Sequence, residues 1–394
     1  MNILFLMIAY PDVNRNSSMY TDLSGEFAEN NYNVFVAVAN GAAKTSLNVE
    51  GGIKVLRVKT MELFNTSFIR KGIANVLLPY QVTRGIRKFM KDVSFDAIIM
   101  STPPITYLGT VMKLKKRYNS RVYLILRDIF PQNARDLGYF RNPVLFNFFR
   151  RQEKKLYNIS DHIGCMSKRN IEYVINHNPE VLKIKLHLLP NWKNVDEYSK
   201  PDLKFKKQLG LENKFISLYG GNFGKPQQID SILELAKEMI HIDDAVFLLV
   251  GDGTEKKRIV DLVTKNNLHN VLIKDLLPRS QYMELVKICD IGLVNLSNKF
   301  TIPNIPSRTL SYWEAKIPIL ASIDRNTDYG DILEQSGSGL WSITGDKDAY
   351  KHNFIKLYQD KELRSSMGEN GYKYLLENCT TLKAFSIINE RLII

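Results

Sequence analysis

Short apolar segments rich in β-branched residues alternate with segments of helical period almost from end to end of this chain of 394 residues. Continuous apolar strands separated by helices are typical of parallel sheets that are covered by helices on both faces. A first series of strands is predicted at residues 2–9, 33–39, 53–58, 95–101, 121–127 and 161–166. A second series is predicted at residues 215–219, 245–250, 271–274, 291–295 and 317–322. The pattern therefore predicts an α/β protein with two doubly wound parallel sheets.

The two series of strands divide the chain into halves of similar size. Domains of about 100–200 residues are usual, so a chain of this length accommodates two. The segment 190–201 is flanked by prolines and is the natural linker, which predicts domains at residues 1–190 and 191–375. A C-terminal helix at 376–394 could cross back to the first domain. Open α/β sheets bind ligands at the C-terminal ends of their strands, so we expect two Rossmann-like domains that face a central cleft.

Composition excludes several classes of protein. A hydrophobic content of 44% and a charged content of 24% are those of a folded globular protein. No segment approaches the roughly 20 apolar residues of a membrane-spanning helix. The start, "MNILFLMIAYPD", is typical of a strand rather than of a signal peptide. The cysteines Cys165, Cys289 and Cys379 form no CxxC pair, which favours free thiols and a cytoplasmic location.

The net charge of +13 is unevenly distributed, because the whole excess lies in residues 1–200. Such an asymmetry indicates an anionic partner for the first half: a membrane surface, a polyphosphate or a nucleic acid. Two segments of that half, 68–91 and 143–158, combine basic and apolar residues at helical spacing. In the second segment one arc of the helix is mainly apolar and comprises Leu145, Phe148, Phe149, Gln152 and Leu156. The basic residues lie on the rest of the helix and are Arg150, Arg151, Lys154 and Lys155. Each segment is either a helix for an anionic membrane or an ordinary surface helix with its apolar face on the core.

Three strand–loop–helix junctions in the second half carry phosphate-type features. "YGGNFGK" at 219–225 and "VGDG" at 250–253 place glycines directly after strands, and "IPSR" at 305–308 opens a helix. Glycine lets the backbone approach a ligand closely, and the N–H groups of a helix start attract phosphate. Each junction alone is equally consistent with a tight strand–helix turn, but their order and spacing favour binding of a diphosphate.

The ordered set of motifs resembles the nucleotide-sugar-binding domain of GT-B glycosyltransferases of family 4. The matching segments are "YGGNFG", "LLVGDG", "VLIKDLLPRSQYMELVKICDIGLV" and "IPSRTLSYWEAKIPILAS", and "LLPNWKNVDEY" resembles the interdomain segment of that family. In the first half "RDIFPQNARDLG" resembles an acceptor-side loop. The resemblance covers nearly the whole chain and is greatest to bacterial enzymes of O-antigen and capsule assembly. It implies the GT-B architecture.

The resemblance also implies roles for particular residues. Lys225 and Arg308 would hold the diphosphate and stabilise it as it leaves, Arg127 would face the acceptor, and Asp128 would orient an acceptor hydroxyl or form an ion pair with Arg127. The positions implied on the donor side are Asn16, Ser17, Gly221, Asn222, Gly224, Gly251, Asp252, Gly253, Leu277 and Ser307.

The chain differs from the family at the positions that would contact the ribose of the donor nucleotide. Family members commonly carry a glutamate seven residues before the proline of the last motif, and here Ser311 stands there. Glu314, three residues further on, is a candidate substitute. Another common glutamate of the family is replaced by Pro303.

No strand-end Asp-x-Asp is present, and the one such spacing, Asp346 and Asp348, fits a helix start. We therefore predict catalysis without a metal or other cofactor. The function predicted is transfer of a hexose or N-acetylhexosamine from a nucleotide sugar, with UDP favoured, to a lipid-diphosphate-linked saccharide. The resemblance implies retention of configuration, in surface polysaccharide synthesis at the inner face of the cell membrane.

Three alternatives stay open at this point. A nucleotide-sugar 2-epimerase shares the two-domain fold but needs no acceptor. A non-catalytic partner subunit would keep the fold without the chemistry, and the missing ribose glutamate is its motivation. A nucleic-acid binder would explain the charge but not the three phosphate-type loops, so no nucleic acid is expected as a partner.

Overall fold

The computed structural model describes residues 1–14, 16–63, 68–140 and 142–393, and the chain divides into two compact units. The first unit comprises Met1–Asn194 together with Thr381–Ile394, and the second is Val195–Thr380. The division falls within the Pro-flanked segment that the sequence indicates as a linker.

The first unit is built on a sheet of eight strands in the order β3-β4-β2-β1-β5-β6-β7-β8. The strands are β1 (Asn2–Met7), β2 (Asn33–Ala39), β3 (Ser46–Glu50), β4 (Ile53–Val58), β5 (Ala97–Ser101), β6 (Arg121–Leu126), β7 (His162–Cys165) and β8 (Leu186–Leu188). The helices are α1 (Met19–Glu29), α2 (Phe68–Phe89), α3 (Leu108–Tyr118), α4 (Gln132–Asp136), α5 (Pro143–Ile159) and α6 (Lys168–His177). All neighbours pair in parallel except β3, which is antiparallel to β4.

The antiparallel edge strand β3 is a feature that the sequence analysis missed. Glu50 pairs with Ile53, so Gly51 and Gly52 form a two-residue hairpin. Both glycines have positive φ, 56° and 80°, as the preferred two-residue hairpin turn requires. The Gly-Gly pair before a strand is therefore the signal that could have predicted β3.

The second unit contains a parallel sheet of six strands in the order β11-β10-β9-β12-β13-β14. The strands are β9 (Phe215–Asn222), β10 (Ala245–Asp252), β11 (Val271–Lys274), β12 (Ile291–Asn295), β13 (Ile319–Ile323) and β14 (Gly339–Ile343). The helices are α7 (Leu203–Gln208), α8 (Ile229–Glu238), α9 (Lys256–Lys265), α10 (Arg279–Lys287), α11 (Thr309–Glu314), α12 (Tyr329–Ser336), α13 (Lys347–Gln359) and α14 (Lys361–Asn378). The predicted α/β fold with two doubly wound sheets is confirmed.

The strands of the second sheet are apolar throughout because both faces are covered. Along β9, Ile216 and Leu218 pack into one core, while Phe215 and Tyr219 pack into the core on the other face. Side chains of successive residues point to opposite faces of a strand, so burial on both sides needs a continuous apolar run.

The last helix, α15 (Thr381–Ile393), belongs to the first unit. Phe385 packs edge-on against Phe27 of α1 with ring centroids 4.8 Å apart, and Arg121 donates a hydrogen bond to the Leu392 carbonyl at 2.7 Å. The chain thus crosses back to its first unit after α14. None of the described helices is long and apolar enough to cross a lipid bilayer.

Candidate donor site and acceptor edge

The order of the second sheet places a crevice at its carboxyl edge. From β9 the chain proceeds outwards through β10 to β11 and then returns to the other side of β9 with β12. Ligands of open α/β sheets bind at such a switch point, between the loops that leave the two central strands. Here those loops are 223–228 after β9 and 296–308 after β12, and the Ser297 N–H donates to the Pro226 carbonyl at 2.9 Å. Two of the three predicted phosphate-type junctions therefore meet at one crevice.

The glycines of this edge allow the β9 and β10 ends to approach each other closely. A Cβ on Gly251 would lie only 1.8 Å from the backbone oxygen of Gly221. Gly221 itself has φ 136°, a region that side-chain-bearing residues rarely adopt. Asn222 and Gly224 complete the loop, with the Asn222 amide lying within 2.9 Å of the position that a Cβ on Gly224 would take. The close packing of the two strand ends therefore explains these glycines structurally.

Arg308 is the most strongly positioned cation of the crevice. Its guanidinium lies over the Tyr219 ring, 4.5 Å from the centroid, and its Nη2 donates a hydrogen bond to the Gln227 side chain. Burial raises the pKa of the Tyr219 phenol, so the ring stays neutral beneath the cation. The Arg308 Nη1 is buried and has no hydrogen-bond partner among the residues that the structure describes. A buried donor without a partner costs about 1–3 kcal/mol, so this N–H group is suited to donate a hydrogen bond to an anionic ligand.

Lys225 contributes a second positive charge beside the same loop. It begins the short 3-10 helix Lys225–Gln227 and is exposed. In the described part of the chain no carboxylate forms an ion pair with it, so its charge is available to a ligand. Tyr219 and Gln227, which fix Arg308, were missed by the sequence analysis; the signal for Tyr219 was its position immediately before the Gly-Gly pair.

The junction after β10 presents Asp252 and Gly253. Asp252 is exposed and accepts a hydrogen bond from the Gly253 N–H at 2.9 Å, while the Lys256 Nζ lies 3.9 Å from the same carboxylate. Leu277 lines a groove of about 630 Å³ between α9 and β11, and the ion pair of Lys256 with Asp275 also lines it. The implied nucleotide and base positions thus lie at the carboxyl ends of neighbouring strands.

The helix that follows Arg308 is shorter than predicted. It begins at Thr309 rather than at residue 306, and Ser307 is exposed in the preceding turn. Ser311 is half-buried on α11, whereas Glu314 is buried and its carboxylate accepts a hydrogen bond from the Asp196 N–H at 3.2 Å. Glu314 therefore fixes the beginning of the second unit, and a ribose contact from Ser311 or Glu314 stays a prediction.

In the first unit, Arg127 and Asp128 follow β6 at the carboxyl edge. Both backbone N–H groups donate to the Thr102 hydroxyl, at 3.1 and 3.4 Å. The Arg127 guanidinium lies 5.3 Å from the centre of the Trp192 ring, and its buried Nη1 lacks a hydrogen-bond partner among the described residues. Burial raises the pKa of the Asp128 carboxyl above its ordinary value, and the positive charge of nearby Arg127 offsets only part of that rise. In the described structure no ion pair joins the two side chains, which leaves Arg127 able to contact an anion.

Asn16 and Ser17 lie just before α1, in the loop that follows β1. The Asn16 N–H donates to the Asp12 carbonyl at 2.9 Å, and the Ser17 N–H donates to the Asn16 side chain at 3.0 Å. Ser18 then caps α1 and forms a reciprocal capping box with Thr21. The donor role of Asn16 and Ser17 stays a prediction.

The basic helix α5 differs in part from its predicted pattern. Arg150 forms an ion pair with buried Glu153, and Lys154 pairs with Glu180, so two of its four cations are engaged within the unit. Phe148, which belongs to the predicted apolar arc of the helix, is 46% exposed. The buried positions of the helix are instead Glu153, Leu156 and Tyr157, and the Tyr157 hydroxyl donates a 2.8 Å hydrogen bond to the Glu153 carboxylate.

Acidic and histidine side chains give no sign of a metal centre in the described residues. Asp346 caps α13 by accepting a hydrogen bond from the Ala349 N–H at 3.0 Å, and Asp348 lies in the first turn. The helix-start interpretation of this Asp-x-Asp spacing is confirmed, whereas catalysis without metal stays a prediction.

Comparison with known proteins identifies the second unit. Residues 201–374 match the family model described as "Glycosyl transferases group 1". Over 252 residues the chain is 24% identical to the probable glycosyltransferase WbjE of Pseudomonas aeruginosa, covering 62% of this chain and 61% of WbjE. It is 27% identical to the N-acetyl-alpha-D-glucosaminyl L-malate synthase of Bacillus anthracis, covering 54% and 55%. It is 23% identical to WcaI of Escherichia coli, a putative colanic acid biosynthesis glycosyl transferase, covering 45% and 44%. Each alignment covers less than two thirds of the curated relative.

Solved structures resemble the whole chain. Sucrose-phosphate synthase from Thermosynechococcus elongatus has a TM-score of 0.80 at 14% identity, with 99% of this chain and 97% of that chain covered. Anabaena HepE in complex with UDP-glucose has a TM-score of 0.74 at 15% identity, with 100% and 99% covered. WaaG, a glycosyltransferase involved in lipopolysaccharide biosynthesis, has a TM-score of 0.69 at 14% identity, with 98% and 99% covered. The fold is therefore of the GT-B type, as the sequence predicts, and most of the second unit matches the group 1 glycosyltransferase family model.

Proposed function

We propose that this protein is a glycosyltransferase that uses a nucleotide-sugar donor. The observation that carries the proposal is Arg308, which Tyr219 and Gln227 hold at the switch point with a buried, unpartnered Nη1 in the described structure. The glycine loop lies beside it, since a Cβ on Gly221 would be 3.6 Å from the Arg308 Nη2, and the exposed Lys225 follows that loop. A nucleoside diphosphate would fit two cations and the N–H groups of one crevice.

The leaving group explains why the cations belong there. As the bond from the sugar to the diphosphate breaks, negative charge grows on the diphosphate oxygens. Preorganised donors stabilise that growing charge without reorganising, which lowers the barrier. UDP is the favoured nucleotide because HepE, a structural neighbour, is known in complex with UDP and with UDP-glucose.

The acceptor proposed is a lipid-diphosphate-linked saccharide in surface polysaccharide synthesis. Arg127, whose Nη1 has no hydrogen-bond partner among the described residues, would contact an acceptor phosphate, and Asp128 would orient the attacking hydroxyl. Relatives whose names refer to colanic acid and lipopolysaccharide synthesis support this context, as does the basic first half. The proposal includes membership of family 4, an O-antigen or capsule product, retention of configuration, and a cytoplasmic enzyme peripheral on the inner face of the cell membrane.

Catalysis is expected to need no divalent metal. Arg308 and Lys225 supply the positive charge that a metal would otherwise bring to the diphosphate. Activity in excess EDTA should therefore stay within about twofold of the untreated enzyme. Complete loss that Mg²⁺ or Mn²⁺ restores would contradict this prediction and direct attention to Asp346 and Asp348.

The direct test of the proposed function is a panel of UDP-sugars, read as UDP release with and without a lipid-linked saccharide. Release that depends on the acceptor identifies a transferase. A 2-epimerase would convert the UDP-sugar to its epimer without an acceptor. A non-catalytic subunit would bind UDP and release nothing, and either of these results would overturn the proposal.

A further inference from the structure

The exposed face of α2 carries an apolar stretch in the middle of the helix, which follows the exposed cation Arg70. The exposed apolar side chains are Ile73, Val76, Leu77 and Tyr80, with Val76 and Tyr80 each 60% exposed. Successive members of this set are three, one and three residues apart, which places all four side chains on one face of the helix. The opposite face, which includes Ala74, Leu78 and Val82, is buried in the unit. Core packing therefore accounts for one face of α2 and leaves an apolar stripe uncovered by described residues.

The same exposed face becomes basic in the second half of the helix. Arg84, Arg87 and Lys88 are exposed and continue the stripe at helical spacing. The helix contains no acidic residue along its 22 positions. An apolar stripe that ends at a tyrosine and is followed by basic side chains is typical of a helix that lies at the boundary between acyl chains and anionic headgroups.

The apolar half of α2 lies at the edge of the sheet that carries Arg127. The helix follows β4, so its first turns lie at the carboxyl edge, and Pro79 lies 3.5 Å from the position of a Cβ on Gly109 at the start of α3. Both α2 and α5 contact the short 3-10 helix Ile105–Tyr107, which follows β5. The start of α5 adds exposed Val144 and Phe148 at this edge.

We propose that the α2 stripe, defined as Ile73, Val76, Leu77 and Tyr80, inserts into the acyl-chain boundary of an anionic lipid surface. Arg84, Arg87 and Lys88 then meet the headgroups. The proposal deepens the proposed function, because it explains how the Arg127 edge would reach an acceptor that is anchored in lipid. It differs from attachment by charge alone, since the apolar contact persists when salt screens the cations.

The test is sedimentation of the full chain with vesicles of phosphatidylglycerol and phosphatidylcholine. The parent should bind these vesicles, and part of the binding should remain at high salt. The double variant Val76→Asp/Leu77→Asp should lose at least tenfold in vesicle affinity at both salt concentrations. The triple variant Arg84→Gln/Arg87→Gln/Lys88→Gln should lose the salt-sensitive part only. The matched control Ile184→Asp, at a side chain that is 87% exposed before the amino end of β8, should bind like the parent.

A reporter locates the contact, and a second measurement separates it from the enzyme activity. Tryptophan in Tyr80→Trp should be quenched by lipids brominated on the acyl chain. UDP titration of every variant should match the parent, because the donor crevice lies in the other unit. The proposal would be overturned if the double aspartate variant bound vesicles as tightly as the parent does. It would also be overturned if the parent did not bind vesicles. If the parent bound no lipid but formed a dimer, and the double aspartate variant were a monomer, the stripe would instead be a contact with a second copy of the chain.

Discussion

Replacing Arg308 with alanine is expected to lower turnover by about 100- to 1,000-fold, the scale for removing one preorganised charge-stabilising group. The guanidinium is fixed by the Tyr219 ring and the Gln227 side chain, so its charge is in place before the diphosphate leaves. Alanine removes both the charge and the buried Nη1. Lys225→Ala should lower turnover on the same scale or less, because the lysine is exposed and its charge is better screened.

The measurement is UDP release under saturating donor and acceptor. Arg308→Lys serves as the conservative variant: it keeps the charge but loses the planar fork, and it should recover only part of the activity. Arg258→Ala is the matched control, because Arg258 pairs with surface carboxylates of Asp230 and Glu255 and its loss should change turnover less than twofold. Near-normal turnover in both Arg308→Ala and Lys225→Ala would remove the two cations from the site.

Gly251→Ala is expected to abolish UDP binding and to lower the free energy of unfolding by about 1–3 kcal/mol, the range for overpacking. The new Cβ would lie 1.8 Å from the Gly221 oxygen. A backbone atom cannot rotate away as a side chain can, so the ends of β9 and β10 must separate, and the glycine loop moves with them.

UDP titration and urea unfolding of this variant measure the two effects. Gly25→Ala in α1 is the control, since nothing lies within 4 Å of its Cβ position. That substitution should leave UDP binding unchanged and should stabilise the helix by roughly 0.5–1 kcal/mol. A Gly251→Ala protein with the stability and UDP affinity of the parent would show that the two strand ends are not closely packed.

The sequence predicts the central strands well because burial on both faces leaves an uninterrupted apolar run. The predicted strands 33–39 and 291–295, which lie inside their sheets, have the observed bounds, as do 53–58 and the edge strand 271–274. The strand β8 has only three residues, too few for a pattern, and it was missed. The edge strand β3 is short, and its apolar residues Leu47 and Val49 are both exposed, so it has no buried apolar face. Its hairpin glycines were the better signal.

The positions of the candidate donor loops also follow from sequence, whereas the contacts that fix their side chains do not. Glycines next to strand ends predict where a ligand can approach. By contrast, the stacking of Arg308 on Tyr219 joins residues 89 positions apart, and the Glu314 contact with the Asp196 backbone joins residues 118 apart. No local spacing encodes either contact. The exposure of Phe148 depends likewise on a buried glutamate, Glu153, which periodicity alone places on the surface.

Hydrogen exchange of backbone amides, with and without saturating UDP, tests the central claim most directly. The account predicts slower exchange in the loop 221–228 and around Ser307 to Thr309, and this protection should disappear in Arg308→Ala. It also predicts that amides of the control helix α7, which precedes β9 and contacts Asp290 before β12 at the amino edge of the sheet, exchange at the same rate in both conditions. Unchanged exchange in both loops at saturating UDP, or protection confined to other segments, would contradict a donor site at this crevice.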